Sequence, residues 1–386
     1  MNESKKTITV LFHNNQWRTF GLLLVFMGIT FLLPSCGNKD DDSNSDDFDR
    51  QAMLENYADN LILPAYQHFE QKVDSLETVL NAFSNNPSTQ ALSLLQTTFL
   101  NTYRSWQNVE LYEFGPAAEV ILRSNVNTFP TDVFIIDNNI SEGSYDLDIP
   151  SNIKAKGLPA MDYLLFGLGE DNTEILEYYT TDADAANRLQ YLEDVFGDIS
   201  TRTTSTIDKW DNYRSTFVGA TGTDIGSSTS LLINEFNFEF ELTKNPRIGI
   251  PLGAKSSGQA LPGNVEAYYS GISKELALIN LQNIVNVFRG KAFNSSQTGP
   301  SLESYLDQLG AEYRDGQSLS EAIIEQFEKD ETALQAVPDP LSDAVISNES
   351  LVQTAFDEFV KTVVLIKTDM TSAIGIQITY QDNDGD

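Results

Sequence analysis

From Leu54 onward the apolar residues recur at steps of three and four: Leu54, Ala58, Leu61, Ala65, Phe69, Val73, Leu76, Leu80 and Phe83. A stripe with that period suits one face of an α-helix and puts every second residue of a strand on the wrong side. Asn85-Asn86-Pro87 interrupts it, and a second helix carries Leu92, Leu95, Phe99, Tyr103, Trp106 and Val109 up to Gly115-Pro116, where glycine and proline stop helices for backbone reasons. Residues 124–156 read as irregular, with Pro130, Gly143 and Pro150 among polar residues. Helical patterning returns over residues 182–217 through Leu189, Leu192, Phe196, Ile199 and Trp210, then over 229–243, 264–289, 301–310, 318–336 and 348–373. Residues 374–380 are the one short strand candidate. The expected class is all-α, built as helical bundles. The Gly/Ser/Thr-rich residues 219–229 divide it into an N-terminal bundle, 50–220, and a C-terminal bundle, 228–380.

Lys5, Lys6 and Arg18 precede an apolar stretch over residues 20–33 that stops at Pro34-Ser35-Cys36. Positive start, short apolar centre and small-residue cleavage site make residues 1–35 a signal peptide, too short in its apolar part for a membrane span. Leu33-Pro34-Ser35-Cys36 resembles a bacterial lipobox, and Cys36 is the single cysteine of the 386 residues. With no partner for a disulfide, a thiol at the cleavage site reads as the point of lipid attachment. Residues 36–49 follow as an acidic disordered tether, similar to the surface-export signal of Bacteroidetes lipoproteins. The expected location is the outer membrane, lipid-anchored and facing outward, with the periplasmic face as the alternative.

The chain carries 24 basic and 56 acidic residues, a formal charge of −32. Loss of residues 1–35 removes three basic residues and one acidic one and leaves −34. Such a surface repels phosphate backbones, which excludes nucleic acid as a partner. The acidic tail 381–386 resembles the start of a calcium loop but lacks the remaining ligands of an EF-hand. Beyond residue 35 the only histidine is His68, in the first long helix. One imidazole and no free thiol leave no material for a two-histidine zinc site, and no nucleophile motif accompanies His68.

Three ordered segments stand out: Trp106-Gln107-Asn108-Val109-Glu110-Leu111-Tyr112-Glu113-Phe114-Gly115-Pro116, Gly157-Leu158-Pro159-Ala160-Met161-Asp162-Tyr163-Leu164-Leu165-Phe166-Gly167, and Val265-Glu266-Ala267-Tyr268-Tyr269-Ser270-Gly271-Ile272-Ser273. Together they resemble the imelysin-like family over roughly residues 50–380. The resemblance implies two fused helical bundles that look like an ancient duplication, a periplasmic or outer-membrane location, an association with iron or haem acquisition, and an assignment as a metallopeptidase. The family's Gly-x-His-x-x-Glu pattern falls here on Gly157, Pro159 and Asp162. Proline has no lone pair to offer a metal, so the sequence leans away from catalysis. Pro159 would instead serve the first helical turn, with Asp162 as a pocket carboxylate or a first-turn residue favouring the helix dipole.

The candidate pocket comprises Trp106, Glu110, Gly157, Pro159, Asp162, Tyr163, Glu266, Ser270 and Ser273. Trp106 and Glu110 would share one helix face, as would Glu266, Ser270 and Ser273. The 157–167 and 263–273 segments each begin on glycine and carry a tyrosine six residues on, Tyr163 and Tyr269, as duplicated halves would. No cofactor is required for folding, and the metal, if one binds, is unspecified. The reading is a binding component linked to iron or haem uptake, partnered by the membrane through its lipid and by iron, haem or an outer-membrane transporter. The alternatives are a peptidase using a carboxylate-bound cation and a structural subunit of an uptake complex. Cys36→Ala should abolish radioactive fatty-acid labelling and release the protein from the membrane fraction; retained label would remove the anchor assignment.

Overall fold

The computed structural model describes residues 47–380. Cys36, the expected signal peptide, most of the expected tether and the acidic residues 381–386 lie outside them. Among the described residues there is no strand, and only two isolated bridges, Lys291 with Thr298 and Glu312 with Ser318, depart from helices, turns and coil.

The opening helix runs as α1 (Arg50–Asn56), a π-helical turn (Tyr57–Ile62) and α2 (Leu63–Asn85). Pro64 explains the interruption: it offers no N–H and its ring crowds the carbonyl one turn back, so the wider turn before it absorbs the fault without ending the helix. The regular stripe over residues 54–83 therefore contains a local widening that periodicity alone does not show. Next comes α3 (Thr89–Trp106), started by Ser88, whose Oγ accepts the Ala91 N–H at 3.2 Å. α2 lies along α3 and along the 35-residue α5 (Ala185–Gly219), with the short α4 (Gly157–Phe166) packed on α5.

The C-terminal group holds α6 (Ser228–Leu242), α7 (Ser273–Phe288), α8 (Leu319–Gln335) and α9 (Glu349–Val363), with α8 and α9 the most extensively packed pair. Residues 219–229 connect α5 to α6. One apolar core continues from Met53 to Ile376 through both groups. The chain's start joins them directly: Tyr57 donates to the Val287 carbonyl at 2.7 Å and accepts from the Leu302 N–H, while Asn56 Nδ2 donates to the Gly290 and Pro300 carbonyls.

Four local expectations are corrected. Residues 124–156 contain a helix, Val133–Glu142, because Asp132 caps the N–H groups of Phe134 and Ile135 and Gly143 closes it in the left-handed conformation. The second helix ends at Trp106, and residues 107–111 are turns. Residues 265–271 are turns as well, so α7 begins only at Ser273; Ala267 and Gly271 both have positive φ, which a helix interior does not tolerate. Residues 374–380 form no strand. Thr379 is instead held by Asn234 Oδ1 at 2.7 Å.

Gly157, the first residue of α4, has φ of +75°, and a Cβ there would lie 2.3 Å from the Val126 carbonyl oxygen. Gly197, inside α5, has open space at the same position. Gly157→Ala should lower the unfolding free energy by about 2–4 kcal/mol, from strain plus overlap with fixed backbone. Gly197→Ala should raise it by about 0.5–1 kcal/mol through helix propensity. Equal urea midpoints for the two variants would contradict the backbone account.

Candidate functional site

Helix α6 does not end at Leu242 but widens into a π-helical turn, Thr243–Gly249, that contains Pro246. The cause is the one seen at Pro64. The widened turn sends Arg247 into the protein, where it is 1% exposed. A guanidinium cannot shed its charge, so burial demands acceptors on its donors. Its Nη2 donates to Glu110 Oε2 at 2.6 Å and to Gln107 Oε1 at 3.2 Å, Nε to Glu266 Oε2 at 2.7 Å, and Nη1 to Glu239 Oε1 at 3.2 Å. The partners come from the turn after α3, from the 265–271 turns and from α6 itself.

Asn127 ties two of them together, donating to Glu266 at 2.8 Å and to both Glu110 oxygens at 3.3 Å while its Oδ1 accepts from Tyr103 at 2.8 Å. Asn280 donates to Glu239 at 2.7 Å. A second arginine, Arg123, lies alongside: Nη2 reaches Glu235 Oε2 at 2.7 Å and the Glu110 carbonyl at 2.9 Å, and Nε sits 3.5 Å from Glu239 Oε2. Its backbone N–H donates to Glu113 Oε2 at 2.9 Å. Five carboxyl groups thus surround two guanidiniums. Two cations cannot neutralise five carboxylates away from water, so the cluster retains protons. Burial pushes Glu110 up to about 8 and Glu113 up to about 7 against the pull of the arginines, and raises Glu235 too.

Above the cluster opens a cavity of about 260 Å³, lined by Glu110, Glu113, Arg123, Arg247 and Phe238 among others. Phe129 forms part of its wall and part of the wall of a second cavity, of about 30 Å³, shared with Pro159, Asp162, Tyr268 and Tyr269. That smaller space is about water-sized. Asp162 stands mid-helix in α4, not in its first turn, and its carboxylate crosses to the other half of the chain, accepting the N–H groups of Tyr269 at 2.8 Å and Ser270 at 3.2 Å. Burial raises it to about 6 although these bonds favour its charged form.

The structure gathers only part of the residues picked from sequence. Glu110 and Glu266 meet at Arg247; Ser273 Oγ donates to the Glu266 carbonyl; Ser270 meets Asp162 through its backbone. Glu266, Ser270 and Ser273 share no helix face, because the first two lie in turns, and Trp106 shares none with Glu110, because α3 stops between them. Trp106 packs in the core against Phe69. Tyr163 is half-buried, its hydroxyl donating to Asp137 at 3.0 Å and its ring 5.1 Å from that of Tyr269, so the two matching tyrosines touch. His68 packs on Phe293. Sequence reading missed Arg247, Arg123, Glu239, Glu113, Asn127 and Gln107. One signal was available: Glu239 sits between Phe238 and Phe240, followed by a mid-helix proline and an arginine.

Three comparisons bear on identity. The model of the family described as Imelysin (Peptidase_M75) matches residues 62–362. A protein named iron-regulated protein A from Synechococcus elongatus is 20% identical over 330 residues, 81% of this chain and 82% of its own length. Among solved structures, one described as an iron-regulated protein A precursor from Parabacteroides distasonis superposes with a TM-score of 0.69 at 18% identity, covering 84% of this chain and 94% of the other. An imelysin-like protein from Psychrobacter arcticum gives 0.65 at 17%, covering 86% and 97%. At these identities the two structures bear on the fold alone.

Each raised carboxyl holds a proton in the folded state that it loses in the unfolded chain between its ordinary value, 4.5 for Glu110 and Glu113 or 3.8 for Asp162, and its raised one. In that interval the folded state binds more protons, so stability falls as pH rises. The urea midpoint should therefore decline from about pH 5 to about pH 8, and Glu110→Gln should flatten the upper part of the decline. A midpoint that rises over this range would refute the proton-retaining cluster.

Proposed function

The chain belongs to the imelysin family, and from that premise we propose that it is an exported, lipid-anchored outer-membrane protein that binds a ligand in iron-linked uptake. The observation that carries the binding role is the engagement of the buried carboxylates. Glu110, Glu239 and Glu266 converge as metal ligands would, but the cation at their centre is the Arg247 guanidinium. At the position of the family's histidine stands Pro159, and both Asp162 oxygens accept backbone N–H groups. Among the described residues no group of three or more His, Cys, Asp or Glu is arranged to hold a metal ion. The donor set does not fit a catalytic metal, and no peptidase step is derived through one.

A cavity of about 260 Å³ over the cluster is left as the working part of the site. It is small beside ligand pockets, which run from about 300 Å³ upward, and it combines charged groups with the apolar walls of Phe238, Leu242 and Pro246. The iron link rests on the family and on the name of the cyanobacterial relative. Lipid anchoring through Cys36 and outward export by the acidic tether rest on the sequence pattern. The partners so proposed are the membrane, through the lipid, and an outer-membrane transporter that receives the ligand.

Ser124 lines the cavity from its exposed side, and Ser124→Trp would fill it without replacing any member of the Arg247 cluster. Cells whose only copy carries Ser124→Trp should grow at most half as fast as wild type under iron limitation, about a twofold effect, with normal growth in iron-replete medium and unchanged protein levels. Wild-type growth under limitation would end the assignment of this cavity as the working site.

A further inference from the structure

The two arginines of the site differ in what they have left to offer. Every nitrogen of the Arg247 guanidinium already donates to a side chain of the cluster. Arg123 donates through Nε and Nη2 to the Glu110 carbonyl and through Nη2 to Glu235, while its Nη1 makes no hydrogen bond. That nitrogen is not among the buried atoms sealed without a partner, so it retains access to solvent. The Phe238 ring, 5.2 Å from the guanidinium carbon, holds the plane in place. Glu113 shows the same division. Its Oε2 accepts the Arg123 N–H, and its Oε1 has neither a hydrogen-bond partner nor a seal from solvent. Both residues line the same cavity.

A ligand bearing only negative charge would enter a space bordered by Glu110 and Glu113, with Glu235 and Glu239 behind Arg123. A ligand bearing only positive charge would meet two guanidiniums. A ligand with one charge of each sign answers both open groups and adds no net charge to a site that already sheds its excess by holding protons. We propose that the cavity binds a small zwitterion of the amino-acid class, its carboxylate on Arg123 Nη1, its ammonium on Glu113 Oε1 and an apolar side chain against Leu242 and Pro246. Carboxylate recognition by a guanidinium edge is strong and directional. Burial, helped by repulsion from Glu235 and Glu239, holds Glu113 near 7 against the pull of Arg123, and an ammonium beside it supplies the counter-charge that the cluster lacks.

This inference rests on the cavity being the ligand site, and the experiment separates the two claims. Calorimetry on the chain from residue 37 to 386 would use L-leucine, L-phenylalanine and the other common amino acids, with N-acetyl-leucine lacking the ammonium and leucinamide lacking the carboxylate. At least one free amino acid should bind, and its N-acetyl and amide derivatives should bind at least about tenfold more weakly. Glu113→Gln should weaken the free amino acid about tenfold while leaving the weak binding of the N-acetyl form unchanged, and Glu113→Asp should restore part of the loss. Equal affinity of a free amino acid and its N-acetyl form, or no binding by any amino acid, overturns the zwitterion. If that happens while Ser124→Trp still impairs growth under iron limitation, the cavity remains the site and only the ligand class is wrong; if Ser124→Trp grows normally, the site itself is misassigned.

Discussion

A buried guanidinium is the constraint around which the molecule is arranged. Arg247 cannot lose its charge, so once the π-helical turn carries it inward it must collect acceptors. It collects them from the turn after α3, from α6 and from the turns before α7. Replacing such a cluster by well-packed apolar residues is often neutral or stabilising, whereas removing one member leaves an unpaired buried charge at a cost of about 3–5 kcal/mol. The cluster is therefore weak as a source of stability and strong as a source of specificity. The placement of these segments gives every guanidinium nitrogen of Arg247 an acceptor, while Glu239 Oε2 is left buried without a hydrogen bond. Asn127 adds a donor to Glu266 Oε1, which the arginine does not reach, and Asn280 shares Glu239 Oε1 with it.

The same arithmetic of charge shapes what the site does. Carboxyl groups outnumber guanidiniums in a volume that excludes water, so protons stay where a metal ion would otherwise balance charge. Arg247 takes the central place among Glu110, Glu239 and Glu266, and Asp162 takes backbone donors. Asp162 thereby ties α4 to the 269–270 turn and connects the two halves of the chain beside Glu266. What remains open to a ligand is the edge of Arg123 and one oxygen of Glu113, on a wall that also holds aromatic and aliphatic surface.

How much of this was legible beforehand depended on the range of the interaction. Apolar residues at steps of three and four gave the helices, and hence the all-α class, because that period follows from backbone geometry within one turn. Caps such as Ser88 and Asp132 act over two or three residues and can be read the same way, although Asp132 was overlooked among the glycine and prolines of 124–156. Glu110 and Glu266 were recognisable as carboxylates amid apolar neighbours. Their partner was not, because Arg247 lies 137 residues from Glu110 and 19 from Glu266 and reaches both only through a widened turn.

The sequence by itself determined the helical class, the lone cysteine beside a lipobox-like stretch, the acidic balance, and a proline at position 159 that offers no imidazole. Composition and short-range periodicity suffice for these, since each is a property of residues close together in the chain. Tertiary structure decided which carboxylates are buried together, that a guanidinium stands among them, that the tyrosines at 163 and 269 touch, and that Arg123 and Glu113 keep one free group each over a cavity. Those outcomes depend on desolvation and on contacts between residues far apart in sequence. Neither exists until the chain has closed on itself.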